Sequence, residues 1–227
     1  HRRRACRRLR RSRRRALVGG ARNSGHPLVS SDEELEHLEE HASRVSLFPL
    51  PSVVLFPGDT IPLQIFEPRY REMTADLLEG NRILVMARFL PGFEDDYEGR
   101  PPVQRIAGAG IVLGAKKLED GRYLLALRGT ARVRIAEELP PEHSYREVRI
   151  EVLRDEEVDG DALDAPVQAI EDIASGIIGT MGAQAQKVWS GIQSEPSLVR
   201  RVDRIASSLL PGPSNKQALL ECLDPVE

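Results

Sequence analysis

The decisive stretch reads Leu47, Phe48, Pro49, Leu50, Pro51, then Val53, Val54, Leu55, Phe56, Pro57, Gly58, then Ile61, Pro62, Leu63, Gln64, Ile65, Phe66, Glu67, Pro68, Arg69, Tyr70. Its prolines cut an apolar run into short pieces. Proline lacks the amide proton and blocks helix interiors, so short strands are expected in place of one long helix. Proline within an apolar run also favours a sheet edge or a strand end. The density of apolar side chains implies that both faces of these strands are covered.

Outward from this block, residues 44 to 154 read mainly as strands. Val133 and Ile135 alternate with Arg132 and Arg134, and Val148, Ile150 and Val152 alternate with Glu147, Arg149 and Glu151. A two-residue period with charge on one side predicts a sheet with one wet face. Glu119, Asp120 and Gly121 lie between apolar segments and predict a hairpin, with glycine in the positive-φ position. One helix interrupts the strands, from about Pro68 to Glu79, with Tyr70, Met73, Thr74, Leu77 and Leu78 on one face and Gly80 and Asn81 at its end. Pro91 to Pro102, rich in glycine, proline and acid, predicts a mobile loop. After Asp155 the period becomes helical. Val167, Ile170, Ile173, Ile177 and Met181 form one series, and Leu198, Val202, Ile205 and Leu209 another. Ser214 and Gln217 predict a capped last helix with Leu219, Leu220 and Leu223. Composition and period alone give an α+β chain, strands first and helices second.

The residues also resemble a known family, the Lon-protease N-terminal domain, or Lon substrate-binding domain. The likeness rests on the Phe-Pro-Leu start, the Val-Leu-Phe-Pro-Gly turn at Val54 to Gly58, the Pro-Leu pair, and the Ile-Phe-Glu-Pro-Arg-Tyr junction at Ile65 to Tyr70. A second match spans Gly110 to Ile135, with Glu119-Asp120-Gly121-Arg122 and then Gly129 and Arg132. Phe56, Pro57, Gly58, Phe66, Glu67, Pro68, Arg69, Tyr70, Gly121, Gly129 and Arg132 carry the motif, and the likeness covers roughly residues 44 to 225. It implies a PUA-like, twisted β-barrel-type domain over 43–155 and a helical bundle over 160–227, with further helix after Glu227. It also implies a stand-alone form without the ATPase and protease domains, set in protein quality control beside S16-type peptidases.

Charge divides the chain. Eleven arginines and no acid fall before residue 26. With those set aside, 21 basic residues face 35 acidic ones, a formal charge near −14 for the body. Residues 1–30 therefore predict a disordered extension. It reads either as a nucleic-acid-binding arm, since arginines release phosphate counterions, or as a segment outside the working domain. The chain starts with His1, which reads as a fragment or processed form. Two cysteines, Cys6 and Cys222, make no disulfide framework, and a reducing, cytoplasmic setting is expected. No apolar run reaches the length of a membrane span.

No catalytic, cofactor or metal site is expected. No phosphate-binding loop surrounds Lys116, Lys117, Lys187 or Lys216. Ser214 is followed by Asn215 and Lys216, which suits a helix start better than a nucleophile turn. Gly108, Gly110 and Gly114 read as a packed strand and not as a dinucleotide loop. His143 shows no partner for triad chemistry. His37 and His41, one turn apart on an acidic helix over 31–42, have metal-compatible spacing but no evident third ligand. Glu67 and Arg69 read as structural, with Glu67 beside a helix N-terminus and the partner of Arg69 unassigned. The resemblance implies a non-catalytic module that binds unfolded chains, or a Lon-type protease, through apolar surface. Contact candidates are Phe56, Phe66, Tyr70, Phe89, Phe93 and Tyr97, with Phe93 and Tyr97 favoured as exposed. The alternatives are an RNA-binding PUA-like protein and a peptidase-associated regulatory subunit. Oligomeric state is left open.

Overall fold

The structure, a computed structural model, describes residues 31–154 and 160–223. The predicted arm over 1–30 and the side chain of Ser31 lie outside the described residues. The described residues form six strands and six α-helices. They are α1 (Ser31–Glu40), β1 (Val45–Leu50), β2 (Thr60–Ile65), α2 (Pro68–Glu79), β3 (Ile83–Arg88), β4 (Ile106–Lys117), β5 (Tyr123–Glu138) and β6 (Arg146–Leu153), then α3 (Gly160–Ile178), α4 (Ala183–Gln193), α5 (Leu198–Leu209) and α6 (Pro213–Glu221).

The strand order is β2-β5-β4-β3-β1-β6, and β6 also pairs with β5. The pairings therefore run in a circuit through β1, β3, β4, β5 and β6. β5 makes this possible because it is 16 residues long. Its first half pairs with β2 and its second half with β6, while β4 follows its other edge. β2 stands outside the circuit, so the sheet is curled and mixed and not a clean barrel. Only β1 and β3 run parallel, joined by a crossover through β2 and α2.

Alternation along β1 and β3 feeds two cores. Leu47, Ile83, Val85 and Ala87 join Ala107, Ala109, Val133, Val148 and Ile150 within the circuit, with Leu38 of α1 packed among them. Phe48, Leu84 and Met86 face outward against Tyr70, Met73 and Leu77 of α2. Both faces of β1 are covered, as its apolar density implies, but β2 leaves Thr60, Pro62 and Gln64 exposed on one face because it stands at the edge of the sheet. α2 begins with Pro68 in its first turn and buries the face that its period marks. The hairpin forms as read, with Gly121 at φ +84°.

The Leu55–Gly58 turn crosses the sheet at close range. A Cβ on Gly108 would lie 2.0 Å from the Leu55 carbonyl oxygen, and one on Gly129 would lie 2.1 Å from that of Phe56. The turn is stitched to β5 by Gly58 N–H to Gly129 O at 2.9 Å and Gly129 N–H to Asp59 O at 2.8 Å. Phe56 thereby enters a third cluster with Ala206 of α5 and Leu220 of α6. A fourth holds the helices together through Ala174, Ile178, Trp189, Ile192 and Ile205.

The wet-face reading of β5 and β6 needs correction. Arg134 and Arg149 are exposed and pair with Glu151 and Glu137, as expected for solvated charge. Arg132 is not: it is 4% exposed. Its guanidinium donates to both oxygens of Asp203 at 2.9 and 2.6 Å and to the Leu220 carbonyl at 3.2 Å. The helices cover this face of β5, so its charge required a buried partner. Glu147 is also buried and accepts from Arg44 at 2.8 Å.

Truncating one member of a buried ion pair strands the other, at a cost of about 3–5 kcal/mol. Asp203→Ala is expected to lose stability on that scale in urea unfolding. Arg132→Met combined with Asp203→Leu should recover most of the loss. A second expectation concerns alkaline pH. Burial pushes the Tyr70 phenol up to about 12, from an ordinary value near 10. A raised acid dissociation keeps its full stabilising effect below pH 10 and loses it as pH rises to 12. Unfolding midpoints should fall through that window, and Tyr70→Phe should flatten the fall. Part of the slope will remain, because burial and the Asp76 carboxylate also raise Tyr145.

Candidate functional site

The Glu67-Pro68-Arg69-Tyr70 junction is a clamp on the 91–102 loop. Arg69 Nη2 and Nε donate to Glu67 Oε2 at 3.0 and 3.2 Å, so the unassigned partner of Arg69 is the glutamate two residues earlier. Arg69 also donates to the backbone carbonyls of Tyr97 and Glu98 at 3.3 and 3.4 Å. The Tyr97 hydroxyl donates to Glu67 Oε1 at 2.8 Å. The Arg69 guanidinium lies 4.7 Å from the Tyr70 ring centroid and 5.1 Å from that of Tyr97. Burial and the hydrogen bond to Glu67 both hold the Tyr97 phenol protonated to higher pH than usual. Phe93 opens a single 3-10 turn, Phe93–Asp96, and stacks on Phe89 at 4.8 Å with the planes 6° apart. Backbone hydrogen bonds between Leu90 and Pro102 and between Gln104 and Arg88 close the base of the loop. The loop expected to be mobile is tied down at both ends and in the middle.

These contacts redistribute the aromatic contact candidates. Phe56, Tyr70 and Phe89 are buried. Burial commits their rings to the core and removes them from any surface that a partner chain can touch. Phe93 and Tyr97 are half-buried within the loop cluster. Phe66, ranked below them in the sequence reading, is 62% exposed, because it follows the last residue of β2 and points away from the core. The motif residues Pro57, Gly58, Gly121, Gly129 and Arg132 all serve turns, close crossings or the buried ion pair.

The open apolar surface lies elsewhere, on the helices. Leu163, Val167, Ala174 and Ile178 of α3 are buried. The next stripe round the same helix, Ile170, Ile173 and Ile177, faces outward, with Ile173 68% exposed. With Val202 and Leu209 of α5 and Leu219 of α6 it lines a groove of about 460 Å³. Nothing in the 47–70 motif points to this groove. The signal was the excess of apolar residues in α3, which supply two stripes where one suffices.

The other groups considered from the sequence fall into place. Ser214 sits inside the first turn of α6, whose N-cap is Gly212, and its hydroxyl accepts from Arg88 Nη2 at 3.1 Å. The expected cap pair is absent, since Gln217 donates instead to the Ile106 carbonyl and to Glu221. Gly108 and Gly110 are packed strand residues. His143 stacks on Tyr145 and lies 3.8 and 3.9 Å from Glu72 and Glu147. Glu34 reaches Arg128 and Thr130 of β5. No helix among the described residues is long and apolar enough to cross a membrane.

A curled mixed sheet with a helical part packed on it defines the class as an α+β fold. Residues 44–227 match the substrate-binding domain of ATP-dependent protease La (Lon), and the chain belongs to that family. It is 26% identical over 211 residues to a Lon protease of Cytophaga hutchinsonii, covering 88% of this chain and 25% of that protein. A Lon protease of Trichlorobacter lovleyi is 28% identical over 205 residues, covering 88% and 24%. The chain thus spans about a quarter of the length of these curated relatives. Among solved structures, the N-terminal domain of a Mycobacterium avium complex Lon protease superimposes with a TM-score of 0.64 at 14% identity, covering 81% of this chain and 92% of that one. A Lon N-terminal domain protein from Xanthomonas campestris gives 0.52 at 23% identity, with the same coverage. At these identities the structural likeness establishes the fold.

Removing the clamp should release the loop without unfolding the domain. Glu67→Ala takes away one acceptor for Arg69 and one for Tyr97, about 1–2 kcal/mol of local stability. Amide exchange across residues 92–99 is expected to rise roughly 5- to 30-fold, while exchange in β4 and β5 stays unchanged.

Proposed function

We propose that this chain is a non-catalytic polypeptide-binding module, whose ligands are unfolded chains that place apolar side chains in the groove between α3, α5 and α6. The observation that carries this reading is that groove, which is open among the described residues of a chain of the Lon substrate-binding family. An unfolded polypeptide exposes the apolar side chains that a folded one hides, and a groove of aliphatic side chains selects for that exposure without reading a sequence. Each seated side chain gains about 1.5–3 kcal/mol. Ordering a flexible guest consumes much of that gain, so a single site binds weakly. Several copies acting on one guest would raise the effective affinity, and docking on a Lon-type protease would supply them. A cytoplasmic, reducing setting suits this role. The body charge near −14 opposes phosphate, which weighs against the RNA-binding alternative.

Binding to a permanently unfolded protein, reduced and carboxymethylated lactalbumin, tests the proposal. Ile173→Asp with Ile177→Asp should reduce binding at least tenfold and leave the thermal midpoint nearly unchanged, because both side chains already face solvent. Undiminished binding would move the site away from the groove. Cleavage of casein by the purified chain, with or without ATP, would overturn the non-catalytic reading.

A further inference from the structure

Helix α1 ends in a cluster that polypeptide binding does not use. His37 and Glu40 lie in its last turn and His41 follows directly after it, and each offers a ligand atom within 4.8 Å of the others. The missing third ligand of the sequence reading is therefore Glu40. His37 Nε2 lies 2.8 Å from the Asn81 carbonyl oxygen, and His41 Nδ1 lies 2.9 Å from that of His37. A carbonyl only accepts, so these two ring nitrogens carry the protons. In the neutral ring, the state in which imidazole ligates a metal, the lone pairs then sit on His37 Nδ1 and His41 Nε2. Imidazoles whose second nitrogen donates to a backbone carbonyl are oriented as metal-ligating histidines are. The rings stand 4.5 Å apart. The Glu40 carboxylate is exposed and has no protein partner among the described residues.

Charge acts in the same direction. α1 carries Asp32, Glu33, Glu34, Glu36, Glu39 and Glu40, and its C-terminal end presents the negative pole of the helix dipole. Glu34 and Glu39 are engaged by Arg128 and Arg154. Two other histidine–carboxylate groupings centre on His143. Their carboxylates already accept from Ser144, Tyr145 and Arg44.

We propose that His37, Glu40 and His41 form a site for a divalent transition metal of the zinc type. Two imidazoles and one carboxylate suit such an ion, whereas calcium and magnesium favour all-oxygen sets. Three protein ligands leave a fourth tetrahedral position for water. Because His37 also holds the Asn81 carbonyl, the ion ties the end of α1 to the turn between α2 and β3. It thereby fixes the helix that seats Leu38 in the core.

The test is calorimetric titration of the full chain with zinc chloride, its thiols blocked by alkylation, with thermal melts in parallel. One equivalent should bind and raise the melting temperature. His41→Ala should weaken binding roughly 10- to 100-fold and abolish the thermal shift. Glu40→Gln, which leaves both rings in place, should weaken it in the same direction. His143→Ala should change neither. The absence of zinc uptake by the full chain overturns the proposal, and so does an affinity that His41→Ala leaves within about twofold, which would place the ion elsewhere. So does loss of binding in His143→Ala with retention in His41→Ala.

Discussion

The close crossing of the Leu55–Gly58 turn over β4 and β5 is the constraint on which the remaining architecture depends. Two carbonyl oxygens sit where Cβ atoms would stand on any residue other than glycine at 108 and 129. The turn is held at that distance by two backbone hydrogen bonds with β5, from Gly58 N–H to the Gly129 carbonyl and from Gly129 N–H to the Asp59 carbonyl. It leads the chain from β1, inside the circuit, to β2, outside it. It also drives Phe56 through to the far side, where α5 and α6 close over the ring. A side chain at either glycine would lift the turn, withdraw Phe56 and remove the surface on which the helices dock.

The helices are then held by one demanding contact. Arg132 and Asp203 are both nearly inaccessible, so each guanidinium and carboxylate proton or lone pair must be met inside the protein. An apolar pair of similar volume would serve stability as well. What the ion pair adds is direction: a bidentate geometry fixes the rotation of α5 against β5, and with it which stripe of the helical part faces outward. The proposed binding groove is a consequence of that orientation. The link runs from a motif arginine in a strand to an aspartate 71 positions later.

How far the sequence reveals this depends on the range of each interaction. The strands, the α2 face, the Gly121 hairpin and the packed glycines rest on local spacing, and the chain states them directly. The Arg69–Glu67 pair was equally local, yet it escaped notice because a glutamate before a helix reads first as a partner of the helix dipole. Arg132 was misplaced on a wet face for a different reason. Period 2 reports that alternate residues point to opposite sides, and it is silent on whether a later helix covers one of them. Asp203 offered a clue, since it is an acid between Val202 and Ile205 in an otherwise apolar stripe, but its partner could not be chosen among many arginines. Three of the six aromatic contact candidates are misplaced for the same reason. Phe56, Tyr70 and Phe89 have the chemistry of a contact surface, and the fold uses that chemistry internally.

What remains outside is therefore the residue of packing. A lone exposed ring such as Phe66 needs no explanation, since folded surfaces contain much apolar area. α3 is different, because it presents branched aliphatic side chains on two faces and buries only one. A helix apolar on two faces is ordinarily enclosed on both. Exposing the second stripe forgoes about 1.5–3 kcal/mol for each side chain left in water, in a domain whose whole margin is of order 10 kcal/mol. Lysine or glutamate at Ile173, which is 68% exposed, would cost the fold little, whereas Ile170 and Ile177 are partly covered by the groove walls. The aliphatic choice at Ile173 is consequently better explained by what approaches the helix from outside than by what holds it in place.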